Sequence, residues 1–318
     1  MPTSDDPDRD PTTVLLPTRT WGPVCRGLAA ALAPDDELLV LCDAPTDPVA
    51  DHDPPAGVEV LVAGEPEGCS GKANALALGM ERASNDRFVW TDDDFDRDAD
   101  WLDRLVAAGQ RHGPATAIPV FVGDGWWRPV EPWNGVALGA SMYARIGEAA
   151  DTAWGGGITF TRAELSVDSE TLADELRSRL SDDYLLTRRL PEVHPVRSMV
   201  TPVEVSGAPD DVVQRLVRFN RIVGVNKGWG RGVVTSALLA AAGVLFPFVV
   251  APLLTALFAG IYDRLGLSPR KAAFAYPGLL ALPGVVLGAR AAETFEWGGR
   301  RYRFADDGEV TVLGAADR

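Results

Sequence analysis

Apolar and polar positions follow one pattern up to about residue 110 and a different one after residue 231. Short apolar runs stand at TTVLLPT (12–18), ELLVLCD (37–43), VEVLVA (58–63) and RFVWTD (87–92), and each reads as a buried strand. Between them the spacing turns helical. Residues 21–33 predict one helix. Gly71 to Ser84, with Ala75, Leu76, Leu78 and Met80 recurring, predict a second. DADWLDRLVAAGQ (98–110), with aspartate at its cap and an apolar face, predicts a third. Strands that alternate with helices predict an α/β domain with a mostly parallel central sheet and its ligands at the carboxyl ends of the strands. Asp43 and the triplet Asp92, Asp93 and Asp94 fall at two such ends.

The pattern then changes. Gly232 to Tyr262 is 31 residues without a charge, and about 20 apolar residues suffice for a helix to span a bilayer. Pro247 and Pro252 would kink it. Ala272 to Ala289, 18 residues with Pro277 and Pro283, forms a second apolar run. Read together they predict a transmembrane hairpin over 232–289, with a buried core hairpin as the alternative. An amphipathic juxtamembrane helix (211–231) precedes it. A tail (290–318) follows, in which FEWGGRRYRF alternates like a hairpin around Gly298-Gly299. Residues 1–12 read as a disordered acidic leader and 13–210 as the catalytic domain. Cations flank the runs at Arg215, Arg218, Arg221, Lys227 and Arg231, and again at Arg290, Arg300, Arg301 and Arg303. Only Arg264, Arg270 and Lys271, offset in part by Asp263, lie between them. The positive-inside rule then puts both flanks in the cytoplasm and the short loop outside, so position 267 should label from outside and positions 183 and 305 should not.

Composition narrows the chemistry. The net charge of -15 and the 45 acidic residues argue against nucleic acid, which needs a basic face. An Asp-rich chain with only three lysines points to a halophilic setting where salt screens repulsion. Cys25, Cys42 and Cys69 lack metal-ligand spacing and read as reduced core residues, and the three histidines are scattered.

That leaves the Asp triplet as the strongest chemical signal. Mg2+ or Mn2+ takes oxygen ligands, commonly one or two carboxylates plus substrate phosphates, and Asp92 and Asp94 at a strand end could supply them. A solvated turn capping the next helix is the plainer reading. The surrounding motifs resemble those of the family 2 glycosyltransferases, inverting enzymes of GT-A fold. VLLPTRT is similar to the family's opening strand, whose loop begins the nucleotide pocket and brings in Pro17 and Arg19. LLVLCDAPTD resembles its second strand, with Asp43 facing the base or ribose. SGKANALALGMERA resembles its G-K-x-x-A-L helix, with Lys72 and Asn74 in place, and WTDDDF matches its D-x-D. WGGGITFTRAEL resembles the glycine-rich acceptor segment. LSDDYLLTRRL resembles the E-D motif, with Asp183 as the catalytic base and Asp182 where the family has Glu. RLVRF resembles Q/R-x-x-R-W, giving Arg215 and Arg218, with Phe219 in the tryptophan position. The two C-terminal runs are most like those of the lipid-modifying branch, the ceramide and hopanoid-type transferases.

The resemblance implies a nucleotide-sugar donor, a divalent cation, a lipid hydroxyl acceptor at the membrane and a cytoplasmic catalytic domain in a multi-pass cell-membrane protein. Two other readings stay open. In a polyprenyl-phosphate sugar synthase the acceptor is already ionised and needs no base. In a silent membrane-anchored protein the nucleotide sugar would be bound but not turned over. From the residues alone, Asp183 also reads as a helix N-cap, Arg215 and Arg218 as juxtamembrane charge, and Gly155 to Gly157 as a flexible turn.

Overall fold

The computed structural model of the chain describes residues 9–305 and 308–316; the first eight residues of the expected leader lie outside the described residues. Up to residue 112 the elements follow the expected alternation: β1 (Thr12–Pro17), α1 (Pro23–Ala30), β2 (Glu37–Cys42), β3 (Val58–Val62), α2 (Gly71–Arg82), β4 (Arg87–Thr91) and α3 (Trp101–His112). Then come β5 (Ala115–Gly123), α4 (Ala137–Ala144), β6 (Gly157–Thr161), α5 (Ser169–Leu176), α6 (Asp182–Arg189) and β7 (His194–Val205). The seven strands form one sheet in the order β3-β2-β1-β4-β6-β5-β7. Strands β3, β2, β1 and β4 pair in parallel, and β6 runs antiparallel to both β4 and β5. The fold class is thus α/β with a mostly parallel central sheet.

The chain divides into two compact units, Met1–Ile118 with Gly147–Met199 and Pro119–Ile146 with Val200–Arg318. In the first, helix α2 packs on the sheet through Gly79, where a Cβ would come within 2.9 Å of Leu15 and Leu41 side-chain carbons. Leu15, Leu39, Leu41, Leu76, Phe88, Trp90 and Phe160 form the core between the sheet and its helices. Strands this buried carry apolar residues on both faces, which is why their sequences read as continuous runs.

The second unit holds the C-terminal helices α7 (Pro209–Lys227), α8 (Trp229–Leu245), α9 (Pro247–Arg264) and α10 (Ala275–Ala291). The run expected as a single kinked span is two helices. Phe246, at φ -129° and ψ 51°, leaves the helical region, and Pro247 opens the next helix at the position where its missing N–H is harmless. By length and composition α9 is apolar enough to cross a membrane, as is Pro269–Ala291. Helices α7 and α8 bend by 117° where Gly228 adopts φ +87°. The tail forms the expected hairpin, β8 (Thr294–Trp297) with β9 (Arg300–Phe304), and adds β10 (Val310–Ala315) beside β9. Gly298 and Gly299 both take positive φ (58° and 73°), the geometry of a two-residue turn that matches strand twist.

One polar network inside the second unit has no counterpart in the sequence patterns. Glu131 is fully buried. Its carboxylate accepts from the Tyr262 hydroxyl (2.9 Å), Lys271 Nζ (2.8 Å) and the Gly123 N–H (2.9 Å).

Candidate active site

Three chain segments build the site in the first unit. Strand β4 ends at Thr91 and delivers the Asp triplet. Helix α2 starts at Gly71, capped by Ser70, whose hydroxyl accepts the Ala73 N–H at 3.1 Å; Lys72 is therefore fixed in its first turn. Helix α6 starts at Asp182 and is likewise capped by Ser181, which accepts the Tyr184 N–H at 3.2 Å. The cap is Ser181, so Asp183 is not needed as one, and its carboxylate is turned to another partner.

The charges of these segments meet. Lys72 Nζ lies 2.6 Å from Asp92 Oδ1 and 3.0 Å from Asp182 Oδ2. Asp183 Oδ1 accepts the Gly155 N–H at 2.5 Å. The Ala153 N–H donates to Thr187 Oγ1 (2.9 Å), and the Thr187 hydroxyl in turn donates to the Asp183 carbonyl (2.7 Å), which ties the glycine segment to α6. A Cβ on Gly155 would lie 2.3 Å from Asp182 Oδ2 and 2.7 Å from Asp183 Oδ1, and one on Gly156 would lie 2.7 Å from Asp92 Oδ2. The glycine run is therefore required for close approach: carboxylates occupy the space that side chains would fill.

Electrostatics follow from this crowding. Burial disfavours the Lys72 charge, but Asp182, Asp92 and Asp183 outweigh it and hold its pKa well above the ordinary value. Asp183 goes the other way. Desolvation, followed by the charge of Asp182, pushes its pKa up to about 7, against the pull of Lys72. Asp182 is 3% exposed; its Oδ2 takes no hydrogen bond and meets the Lys72 ammonium.

The triplet does not act as a unit. Asp92 meets Lys72, while Asp93 accepts the Thr18 hydroxyl at 2.5 Å and so ties the end of β4 to the end of β1. Asp94 is exposed. Arg97 sits behind them, donating to the Phe95 carbonyl (2.9 Å), Thr91 Oγ1 (2.6 Å) and the Asp92 carbonyl, with its guanidinium 3.7 Å from the Phe95 ring centroid. Burial lowers its pKa to about 10 although all three aspartates pull upward, so it stays charged near neutrality.

Of the other expected nucleotide contacts, Arg19 donates to Asp43 Oδ2 from Nε (3.0 Å) and Nη2 (2.7 Å), joining the ends of β1 and β2. Pro17 closes β1 beside Leu41. Asn74 is differently engaged: its amide donates to the Ala63 and Gly64 carbonyls (3.2 and 3.0 Å) and holds the exit of β3 against α2. Arg215 and Arg218 belong to the second unit. There the Arg215 guanidinium lies over Phe121 and Phe219 (5.8 and 5.6 Å), and that of Arg218 over Phe219 and Trp297 (5.1 and 4.3 Å). Arg221, expected on the same basic stripe, is buried and donates to the Arg290 and Ala292 carbonyls (3.3 and 2.6 Å) and to that of Phe304.

Asp182 and Arg97 are the residues of the first unit's site that the motifs undervalued. Asp182 is marked only as standing where the resembled E-D motif has Glu, and Arg97 by nothing in its local sequence. For a metal, no group of three or more His, Cys, Asp or Glu side chains is placed around one point among the described residues. Of the two expected ligands, Asp92 meets Lys72 Nζ at 2.6 Å and Asp94 is exposed; two carboxylates completed by substrate phosphates are a ligand type that Mg2+ or Mn2+ takes.

Replacing Lys72 by methionine should be severe for stability. It leaves Asp182 buried without its cation, a loss of about 3–5 kcal/mol for a broken buried pair. Thermal melts should show a large drop for Lys72→Met and recovery in the Lys72→Met, Asp182→Asn double variant. Equal melting of Lys72→Met and the unmodified chain would contradict the pairing.

No family model and no curated protein matches the chain. Solved structures that match the chain include glucosyl-3-phosphoglycerate synthase from Mycobacterium tuberculosis in complex with phosphoglyceric acid, with 16% identity over 81% of this chain and 81% of that one and a TM-score of 0.39. S. aureus TarS 1–349 in complex with UDP-GlcNAc shares 12% identity over 96% of this chain and 100% of that one, with a TM-score of 0.41. A mycobacterial protein shares 18% identity; the match covers 61% of this chain but only 65% of that one, less than two thirds of its length, with a TM-score of 0.35. At these scores the likeness says nothing about what this chain binds.

Proposed function

We propose that the chain is a glycosyltransferase that moves a sugar from a nucleotide-diphosphate sugar to a lipid-borne hydroxyl at a membrane, with inversion at the anomeric carbon. The observation that carries this reading is Asp183, a half-buried carboxylate whose pKa desolvation and Asp182 raise to about 7, with one oxygen held by the Gly155 N–H. Such a group is matched to accepting a hydroxyl proton at neutral pH. Asp183 takes the proton of the acceptor hydroxyl as that oxygen bonds to the anomeric carbon and the bond to the nucleoside diphosphate breaks. One base and one displacement give inversion.

The remaining residues serve the donor. Arg19 and Asp43 join two strand ends where the nucleoside would lie, and Lys72 places a fixed positive charge beside Asp92. Asp92 and Asp94 would hold Mg2+ or Mn2+, which when bound supplies Lewis-acid neutralisation of the diphosphate. Arg215 and Arg218 add guanidinium donors suited to phosphate oxygens. Nucleotide sugars are made in the cytoplasm, which favours a cytoplasmic catalytic domain.

The test is a screen of nucleotide sugars for donor hydrolysis by the purified protein in detergent. EDTA should abolish turnover and added Mg2+ or Mn2+ should restore it. Turnover that is indifferent to EDTA would remove the cation from the mechanism, and no hydrolysis of any donor would remove the enzyme reading.

A further inference from the structure

The membrane part of this proposal can be taken further, on evidence independent of the sugar chemistry. A hairpin that crosses the bilayer twice must put the turn between its arms on the side opposite its flanks. Here the turn is bound to the body of its own unit. Lys271 donates to Glu131 Oε2 and to the Gly123 carbonyl (2.8 and 2.9 Å), and Tyr262 reaches the same carboxylate at 2.9 Å. Leu265, Ala272 and Ala275 share a core with Val120 and Val136. Gly123 and Val120 belong to strand β5, so the turn stays with the sheet strand.

Helix α10 is held along its length in the same way. At its start the Trp133 indole donates to the Ala275 carbonyl at 2.7 Å. One turn later Gly278 lies so close to the Pro129 carbonyl that a Cβ would approach it to 2.4 Å. Further along, Val285 packs on the cluster of Trp127, Val130, Val205 and Val212. At its end Arg221 of α7 holds the Arg290 carbonyl. A helix bound at both ends and in the middle to the same body is laid over that body and does not leave it to cross a bilayer.

The outer surface is apolar nonetheless. Helix α8 exposes Val234, Leu238, Leu239, Val244 and Leu245 around a narrow buried edge at Ser236 and Gly243, and α9 exposes Val249, Leu253 and Leu257 on one helical face. The junction between them exposes Phe246 and Phe248, the latter at 94%. Leu280 and Leu287 continue the surface onto α10, whose Leu279 and Leu280 pack beside Gly243 of α8. Exposed cations cluster at the helix ends, at Arg231, Arg264, Arg270 and Arg290, and no charge falls between Gly232 and Tyr262. The 117° bend at Gly228 turns the amphipathic α7 away from the line of α8. An apolar face rimmed by Arg fits a bilayer interface, where such faces sink about 5–10 Å into the headgroup and acyl boundary.

In place of the membrane-crossing hairpin expected from composition, we propose that this protein is monotopic. The outer face of α8, α9 and α10 is seated in a single leaflet, with the Phe246–Phe248 tip deepest, and the turn at 265–272 stays on the same side of the bilayer as residues 119–136.

Labelling of the full-length protein in sealed membrane vesicles of both orientations tests this. Cys25, Cys42 and Cys69 are buried, so they leave a quiet background. Trp126→Cys, Ser268→Cys and Arg270→Cys, all at exposed positions, should react with a membrane-impermeant maleimide in the same vesicle orientation. Phe248→Cys should react in neither until detergent is added. Reaction of 268 and 270 in the orientation opposite to 126 would overturn the proposal, as would reaction of 248 from the far side. A second measurement uses lipid vesicles of phosphatidylcholine and phosphatidylglycerol. Phe246→Asp with Phe248→Asp should lower the bound fraction by about tenfold or more, since each charge is costly in the hydrocarbon. Unchanged binding, or self-association through this face in lipid-free buffer without vesicle binding, would also overturn it. Donor hydrolysis in detergent is read separately, so a failure of glycosyl transfer and a failure of monotopic insertion give different results.

Discussion

Asp183→Asn lowers sugar transfer by about 10²-fold or more, the usual scale for removing a general base, while the folded chain is retained. Asparagine keeps the side-chain oxygen that accepts the Gly155 N–H and leaves the Ser181 cap untouched. It also removes a carboxylate that sits against Asp182, so the variant should melt no lower than the unmodified chain, and nucleotide binding should persist. The pH profile gives an independent check. Burial and Asp182 raise the Asp183 pKa to about 7, so the deprotonated, active base is lost as pH falls through that value and gained as pH rises. Transfer should therefore climb through pH 7, and the climb should vanish from the residual activity of Asp183→Asn. The stability sign is the reverse. A folded pKa above the ordinary 3.8 makes the native state the better proton binder between those values, so this group's contribution is full at low pH and is lost as pH rises towards 7. If Asp183→Asn transfers sugar at the unmodified rate, the base assignment fails and an already ionised phosphate acceptor becomes the better reading.

Asp94→Ala abolishes transfer at ordinary Mg2+ or Mn2+, and Asp93→Ala does not. The adjacent aspartates differ in their surroundings. Asp93 is committed to the Thr18 hydroxyl, a bond between two strand ends whose loss should cost about 1 kcal/mol of stability and little activity. Asp92 is shared with Lys72. Asp94 lies at the exposed end of the run, where a cation and a diphosphate can reach it. Its loss should raise the metal concentration needed for turnover or remove turnover altogether. Kinetics across a metal titration measure this. Full activity of Asp94→Ala at unmodified metal levels would take it out of the site.

Much of the first 112 residues is legible because local and long-range demands agree there. TTVLLPT, ELLVLCD and RFVWTD are apolar because these inner strands are covered on both faces, whereas VEVLVA at the sheet edge leaves Glu59 and Val62 exposed; all four became strands with ends within a residue or two of the expected ones. The Gly298-Gly299 hairpin is legible for a local reason too: two consecutive positive φ angles call for glycine. The antiparallel β6, which brings Gly155 and Gly156 next to the Asp triplet, carries no such signature. Its placement depends on pairing with β4, about 70 residues earlier in the chain.

The sequence by itself determined the α/β class, the strand ends at which Asp43 and Asp92 stand, the start of the Lys72 helix and the apolar character of residues 232–262. These follow from periodicity and capping, which act over a few residues. Only the tertiary structure decided that Lys72 lies between Asp92 and Asp182, that Ser181 frees Asp183 from capping, and that Glu131 reaches across 140 positions to Lys271. The physical reason is common to all three. A buried charge must find a counter-charge or a hydrogen bond wherever the fold brings one, and hydropathy along the chain records that a residue is charged but not which partner offsets its desolvation.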